Sequence, residues 1–283
     1  MRLPPALEVV EEYTFGECGK LKTVEFPAGL EKICVGAFVK SGIENVVLPA
    51  ALRTVAQAAF CNCKSLKTVK FSEGLEVLGT DEYPDSNSIY SGVFEGSSLE
   101  RVKLPTTLKK MEYSVFEDCR NLRRVRLPEG LEYVGKRCFS GTGLESVEFP
   151  PSLRTIAQGA FYKCEGLRAV KLNEGLEVLG TNEYPKYSGM YCGAFQRSAV
   201  ERVELPSTLK RIEYSAFEEC KNLKNIQLPD RLECIGKWCF HGTRLLTIRV
   251  PKKGVEAVPN SFSDCPAESC FTFFNDKIYP KDK

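Results

Sequence analysis

The chain has 283 residues, 43% of them hydrophobic and 27% charged, the balance of a folded protein rather than a disordered one. Its net charge of +2 is too small to imply broad attraction to nucleic acid or to anionic membranes. No apolar run reaches the roughly 20 residues of a membrane span, and the opening Met1-Arg2-Leu3-Pro4-Pro5-Ala6-Leu7-Glu8 shows no apolar core of a signal peptide.

From the N-terminus onward one unit recurs. Its marker is a phenylalanine: Phe15, Phe38, Phe60, Phe94, Phe116, Phe139, Phe161, Phe195, Phe217, Phe240 and Phe262. The steps are 22 or 23 residues, except for two of 34. Ten or eleven residues after each marker stands a large apolar residue, usually followed by proline, as in Phe26-Pro27, Leu48-Pro49, Leu104-Pro105, Leu127-Pro128 and Leu205-Pro206. The clearest unit is Leu122 to Cys138, closed by Phe139; in general form it reads L-x-x-V-x-L-P-x-x-L-x-x-I-x-x-x-A-F.

A longer period overlies the short one. Residues 3–103 align with 104–204 without a gap, a cassette of 101 residues, and 205–273 begin a third copy. LRTVAQAAF at 52–60 returns as LRTIAQGAF at 153–161. The whole chain, 1–283, therefore reads as one solenoid of about eleven repeats. Leu3-Pro4 reads as the tail of a strand whose start is missing, which suggests a fragment or a chain completed by a partner. The repeat degenerates after Cys265, where Glu268 takes the place of a leucine, and 274–283 read as a cap or tail.

Each unit predicts a strand first. Val125-Arg126-Leu127 alternates with period two, and the following proline lacks the N–H needed to continue a ladder. The next stretch, Leu131, Val134 and Phe139, fits one helical turn or a second short strand; Gly135 and Gly236 in its middle favour short strand or irregular structure. A unit this small cannot bury its apolar face alone. Stacked units can, because strand pairs with strand and the Leu, Val and Phe rows merge into one core. About five buried apolar side chains per unit are worth roughly 8–15 kcal/mol before entropy is subtracted.

The unit resembles the BspA-like, or Treponema pallidum type, leucine-rich repeats. The L-P step, the L-x-x-I-G segment, the A-F pair and the following C-x-x-L carry the likeness, as in Ala160-Phe161-Tyr162-Lys163-Cys164-Glu165-Gly166-Leu167, and it extends over residues 3–273. The resemblance implies a curved solenoid with a parallel sheet on its concave side and little helix on the other. It also implies binding of proteins or surfaces, often at the cell surface, and brings no catalytic residues. The chain is thus expected to be a right-handed, mostly β leucine-rich-repeat solenoid.

Cys18, Cys63, Cys119, Cys164, Cys220 and Cys265 each lie three residues after a marker, in alternate units. Small residues such as Ser41 fill the slot in between, so the cysteines are expected to pack as a buried ladder of free thiols. Ladder members two units apart stand about 10 Å from each other, beyond the ~7 Å limit for a disulfide. Unpaired thiols favour a cytoplasmic or other intracellular location; the family's surface habit leaves cell surface or secretion as the alternative. Cys234, Cys239 and His241 are close in sequence and Cys61-x-Cys63 lies elsewhere, but zinc needs four convergent ligands and the chain has a single histidine, so no metal and no cofactor are expected.

Two surfaces are candidates for a protein partner. On the strands, the residue between the valine and the leucine is, in order, Glu25, Val47, Lys70, Lys103, Arg126, Glu148, Lys171, Glu204, Gln227 and Arg249. Lys70, Arg101, Lys103, Arg124 and Arg126 make its middle basic, which suits an acidic partner; the alternating signs of Arg126, Glu148, Lys171 and Glu204 equally suit a solvated ladder of ion pairs. Aromatics are sparse there, so single-stranded nucleic acid has nothing to stack on. The second candidate is the pair of insertions, TDEYPDSNSIY at 80–90 and TNEYPKYSGMY at 181–191, with Tyr83, Tyr90, Tyr184, Tyr187 and Tyr191. Four strand spacings put them about 20 Å apart on one side.

No phosphate-binding loop, dinucleotide fingerprint, H-E-x-x-H or G-x-S-x-G is present, and His241 has no evident triad partners. The expected role is a non-catalytic scaffold for protein interaction, without nucleic-acid binding or membrane insertion; an exported adhesin is the alternative, and an enzyme with an unrecognised site the remote one. Oligomeric state stays open.

Overall fold

The computed structural model describes residues 1–79, 92–180, 192–267, 271–274 and 277–280. In chain order its strands are β1 (Val9–Val10), β2 (Lys32–Ile33), β3 (Asn45–Leu48), β4 (Thr54–Val55), β5 (Thr68–Phe71), β6 (Val77–Leu78), β7 (Arg101–Lys103), β8 (Lys110–Met111), β9 (Arg124–Arg126), β10 (Tyr133–Val134), β11 (Ser146–Glu148), β12 (Thr155–Ile156), β13 (Ala169–Lys171), β14 (Val178–Leu179), β15 (Arg202–Glu204), β16 (Arg211–Ile212), β17 (Asn225–Gln227), β18 (Cys234–Ile235), β19 (Thr247–Arg249), β20 (Val255–Ala257), β21 (Phe271–Phe274) and β22 (Lys277–Pro280). From β2 to β20 they alternate between two sides of a mostly β, parallel solenoid.

The odd-numbered strands from β3 to β19 form the concave face in three runs: β3-β5-β7, β9-β11-β13-β15 and β17-β19. The L-x-x-V-x-L pattern explains their burial, with the valine inward and the residues on either side outward, as in Arg124-Val125-Arg126. The segment left ambiguous by the sequence resolves into two-residue strands. Those from β6 to β20 make one continuous parallel sheet, closed by the antiparallel hairpin β21–β22 on β20.

Among the described residues a third side carries no strand but is bonded as regularly. Each marker N–H from Phe15 to Phe240 donates to the carbonyl of the residue before the next marker, as Phe116 does to Cys138 and Phe139 to Ala160, both at 2.8 Å. The residue two places after each marker is left-handed in every turn, from Asp118 at φ 53° to Gly141 at φ 67°. Its N–H reaches the next turn too, as Asp118 does to the Ser140 carbonyl at 2.8 Å. Such a conformation costs an ordinary residue about 1 kcal/mol; the axial hydrogen bonds offset it.

The marker rings form a single stack through the core. Neighbouring centroids lie 5.0 to 5.6 Å apart with interplanar angles of 3° to 17°. Stacked pairs add about 0.5–1.5 kcal/mol each beyond their buried area. Beside the stack runs the cysteine ladder. Cys63, Cys119, Cys164 and Cys220 donate to the carbonyls of Phe38, Phe94, Phe139 and Phe195 at 3.0 to 3.2 Å. Each also meets a hydroxyl of the preceding turn: Ser41, Ser97, Thr142 and Ser198, at 3.4 to 3.5 Å. Burial pushes the Cys119, Cys164 and Cys220 thiols up to about 12, so they remain donors. One expected member departs from the pattern: Cys18 is exposed, because among the described residues no turn precedes its own to supply the carbonyl.

Candidate concave binding face

The five basic residues expected from the sequence come together. Register pairs Thr68 with Arg101 and Lys70 with Lys103 across β5 and β7, and β9 lies alongside with Arg124 and Arg126. All five side chains are exposed. None makes an ion pair with a described residue, whereas other lysines and arginines do, among them Lys109 with Glu76 and Arg123 with Glu145. Like charges directly opposite on a sheet repel, as Lys70 and Lys103 do. Lys103 also acts on a carboxylate of the fold, Glu73. The Thr106 hydroxyl chiefly, then the Thr106 and Thr107 N–H groups and the Lys103 charge, hold it below the usual carboxylate range.

Only part of the alternating ladder forms. Lys171 pairs with Glu204 at 3.4 Å, both largely exposed; such a pair contributes about 0–1 kcal/mol. Arg126 and Glu148 are register partners without an ion pair between them. The sheet is interrupted after β7 and again after β15, at the same point of each cassette. Val102 and Val203 there are half-buried, where Val69, Val125 and Val170 are buried. Charge repulsion across the gap cannot be the cause, because Asn225 and Gln227 beyond the second break are neutral. What the two breaks share is a position directly after a 34-residue turn.

Tyr83, Tyr90, Tyr184, Tyr187 and Tyr191 lie outside the described residues. Beside the roots of those insertions the structure reveals a cluster that sequence reading missed. Arg137 Nε donates to both oxygens of the buried Glu117, at 2.9 and 3.1 Å, and Ser114 Oγ donates to Glu117 at 2.5 Å. Arg137 Nη1 also reaches Cys192 Sγ at 3.6 Å. Gly159 permits this approach, since a Cβ there would stand 3.1 Å from Cys192 and 3.3 Å from Arg137. In the next turn toward the N-terminus Glu95 accepts the Gly92 N–H at 2.8 Å. Burial first, then the Glu117 and Asp118 charges, raise Glu95 to about 7. A partial signal was available: acids follow Phe94 and Phe116 where Gly16, Val39 and Ser140 follow other markers, although Glu218 follows Phe217 with Trp238 in the place of Arg137.

His241 bonds Ser263 through Nδ1 at 2.9 Å and lies 3.6 Å from Asp264. Among the described residues no group of three His, Cys, Asp or Glu is placed to hold a metal, and no helix is long and apolar enough to cross a membrane.

The sequence profile of the BspA type leucine rich repeat region (6 copies) matches residues 1–88, 87–188 and 188–278. The chain belongs to this family. No curated protein sequence matches this BspA-type chain. Solved structures do. A leucine-rich repeat protein from Bacteroides ovatus superposes with a TM-score of 0.66 at 24% identity, covering 93% of this chain and 69% of that one. Another from Eubacterium ventriosum gives 0.52 at 16%, covering 86% and 76%. A leucine rich cell surface protein from Faecalibacterium prausnitzii gives 0.50 at 22%, covering 94% and 76%. At these identities the likeness is one of fold.

Proposed function

We propose that this BspA-type solenoid is a non-catalytic scaffold that binds an acidic protein partner through the concave strands β5, β7 and β9. The observation that carries the reading is the set of five exposed cations, Lys70, Arg101, Lys103, Arg124 and Arg126, left without ion-pair partners among the described residues. Three are arginines, whose planar guanidinium matches a carboxylate through two hydrogen bonds. Such a face speeds encounter and selects by charge more than it adds raw affinity.

The test is affinity capture with the intact chain, with Arg124→Glu/Arg126→Glu, and with Asn225→Glu/Gln227→Glu as the matched control. The first variant should weaken capture about tenfold and the control should leave it unchanged. A partner retained in full by Arg124→Glu/Arg126→Glu removes this face from consideration. A second reading, an exported surface adhesin, takes its support from the surface description of the Faecalibacterium prausnitzii neighbour; cell fractionation separates it from an intracellular scaffold.

A further inference from the structure

The basic face has a geometry as well as a sign. Register aligns one residue per turn into a row that runs along the solenoid axis: Val47 beside Lys70, Lys70 beside Lys103, Arg126 across the break, then Glu148 and Lys171. Arg101 and Arg124 form a second row, two residues earlier on the same face of their strands. The rows lie about 7 Å apart, and steps along each are about 4.8 Å. Nothing concentrates the five charges on one point. A groove of about 510 Å³ beside Arg126, walled by Pro150 and Pro151, takes in just that one of the five. The ligand suited to this layout is therefore elongated and carries several anions in line.

Resting on the reading above, we infer that the face seats an α-helix with an acidic stripe, lying along the solenoid axis. A helix returns to the same face every 5.4 Å, so its side chains at i, i+4, i+7 and i+11 fall nearly in step with turns about 4.8 Å apart. The mismatch is about 0.6 Å per step, which long lysine and arginine side chains absorb. An extended segment laid the same way presents its like-facing residues about 6.8 Å apart and is out of step after two contacts. The ends of the row add polarity. Val47, 60% exposed, calls for an apolar residue before the acidic stripe, and Glu148 calls for a basic residue after it. The matching helix face reads apolar, acidic, acidic, acidic, basic.

The probe is a labelled alanine-rich helical peptide of about 18 residues carrying that face. Comparison ligands are the same composition scrambled off one face, extended polyglutamate, and heparin, all measured by fluorescence anisotropy. The ordered peptide should bind about tenfold tighter than the scrambled one. Arg126→Glu should weaken it about tenfold, and a lysine in place of the third acidic residue of the peptide should restore binding. Equal binding of the scrambled peptide or polyglutamate, tighter binding of heparin, or failure of the charge swap overturns the helix, while the acidic-partner face stands if Lys103→Glu/Arg124→Glu/Arg126→Glu still abolishes binding. If that triple variant changes the binding of none of these ligands, the face falls with the helix.

Discussion

Residues 70–137 and 171–238 are the same stretch of two successive cassettes, and they agree inside while differing outside. Phe116 and Phe217 are both fully buried in the ring stack, and Cys119 and Cys220 make the same thiol-to-carbonyl bond. On the concave face Lys70, Arg101, Lys103, Arg124 and Arg126 are answered by Lys171, Arg202, Glu204, Asn225 and Gln227. Five cations become two cations and one anion, and that anion is engaged by Lys171. By the insertion root, Glu95 and Arg137 are answered by Gln196 and Trp238. Gln196 accepts the Gly193 N–H at 3.0 Å as Glu95 accepts that of Gly92. Trp238 packs edge-on against Tyr214 and under the Lys237 ammonium. Among the described residues Ser215 Oγ has no partner, where Ser114 Oγ has Glu117. The two copies share the rings, the thiols and the turn bonds; Lys103, Arg124, Arg126, Glu95 and Arg137 are additions of the first cassette that the second does without.

The shared part should break equally in both copies. Phe116→Ala and Phe217→Ala should each cost about 3–5 kcal/mol, read by chemical denaturation; a loss confined to one copy would mean the stack is not continuous. The part that differs should break in the first copy alone. Arg137→Ala leaves Glu117 buried with only Ser114 to satisfy it and should cost about 3 kcal/mol, measured the same way.

A smaller effect tests the Glu95 environment. Its folded pKa, about 7, lies above the ordinary value of 4.5, so the folded chain takes up a proton that the unfolded chain does not. Stability from this group is present at pH 4.5 and is lost as pH rises through 7. After allowance for partial exposure the difference is about 1–2 kcal/mol. Glu95→Gln, copying Gln196, should flatten that part of the pH profile and stabilise the chain at pH 8. An unchanged profile would place the carboxylate in water.

Much of this was legible because repetition amplifies weak signals. One phenylalanine says little, whereas eleven at nearly fixed spacing locate the stack, and the valine between outward residues places Arg124 and Arg126 on one face. The two-residue flank strands were ambiguous because Leu131, Val134 and Phe139 fit two periodicities at once. The left-handed position after each marker was hidden because lysine, glutamate and arginine occupy it as well as glycine; axial hydrogen bonds, not local preference, impose it. The Glu95, Glu117 and Arg137 cluster draws on three different turns, so no local motif announces it. Cys18 was misplaced because a ladder read from spacing alone takes no account of which turns have a neighbour on both sides.

The central claim is that the basic grid of the first cassette is the binding face. The direct measurement is calorimetric titration of the acidic helical peptide into the natural chain and into Lys103→Glu/Arg124→Asn/Arg126→Gln, which gives the first cassette the residues of the second. The natural chain should take up one peptide and the variant none. Binding that persists in the variant with similar affinity would show that these side chains are not what makes the site.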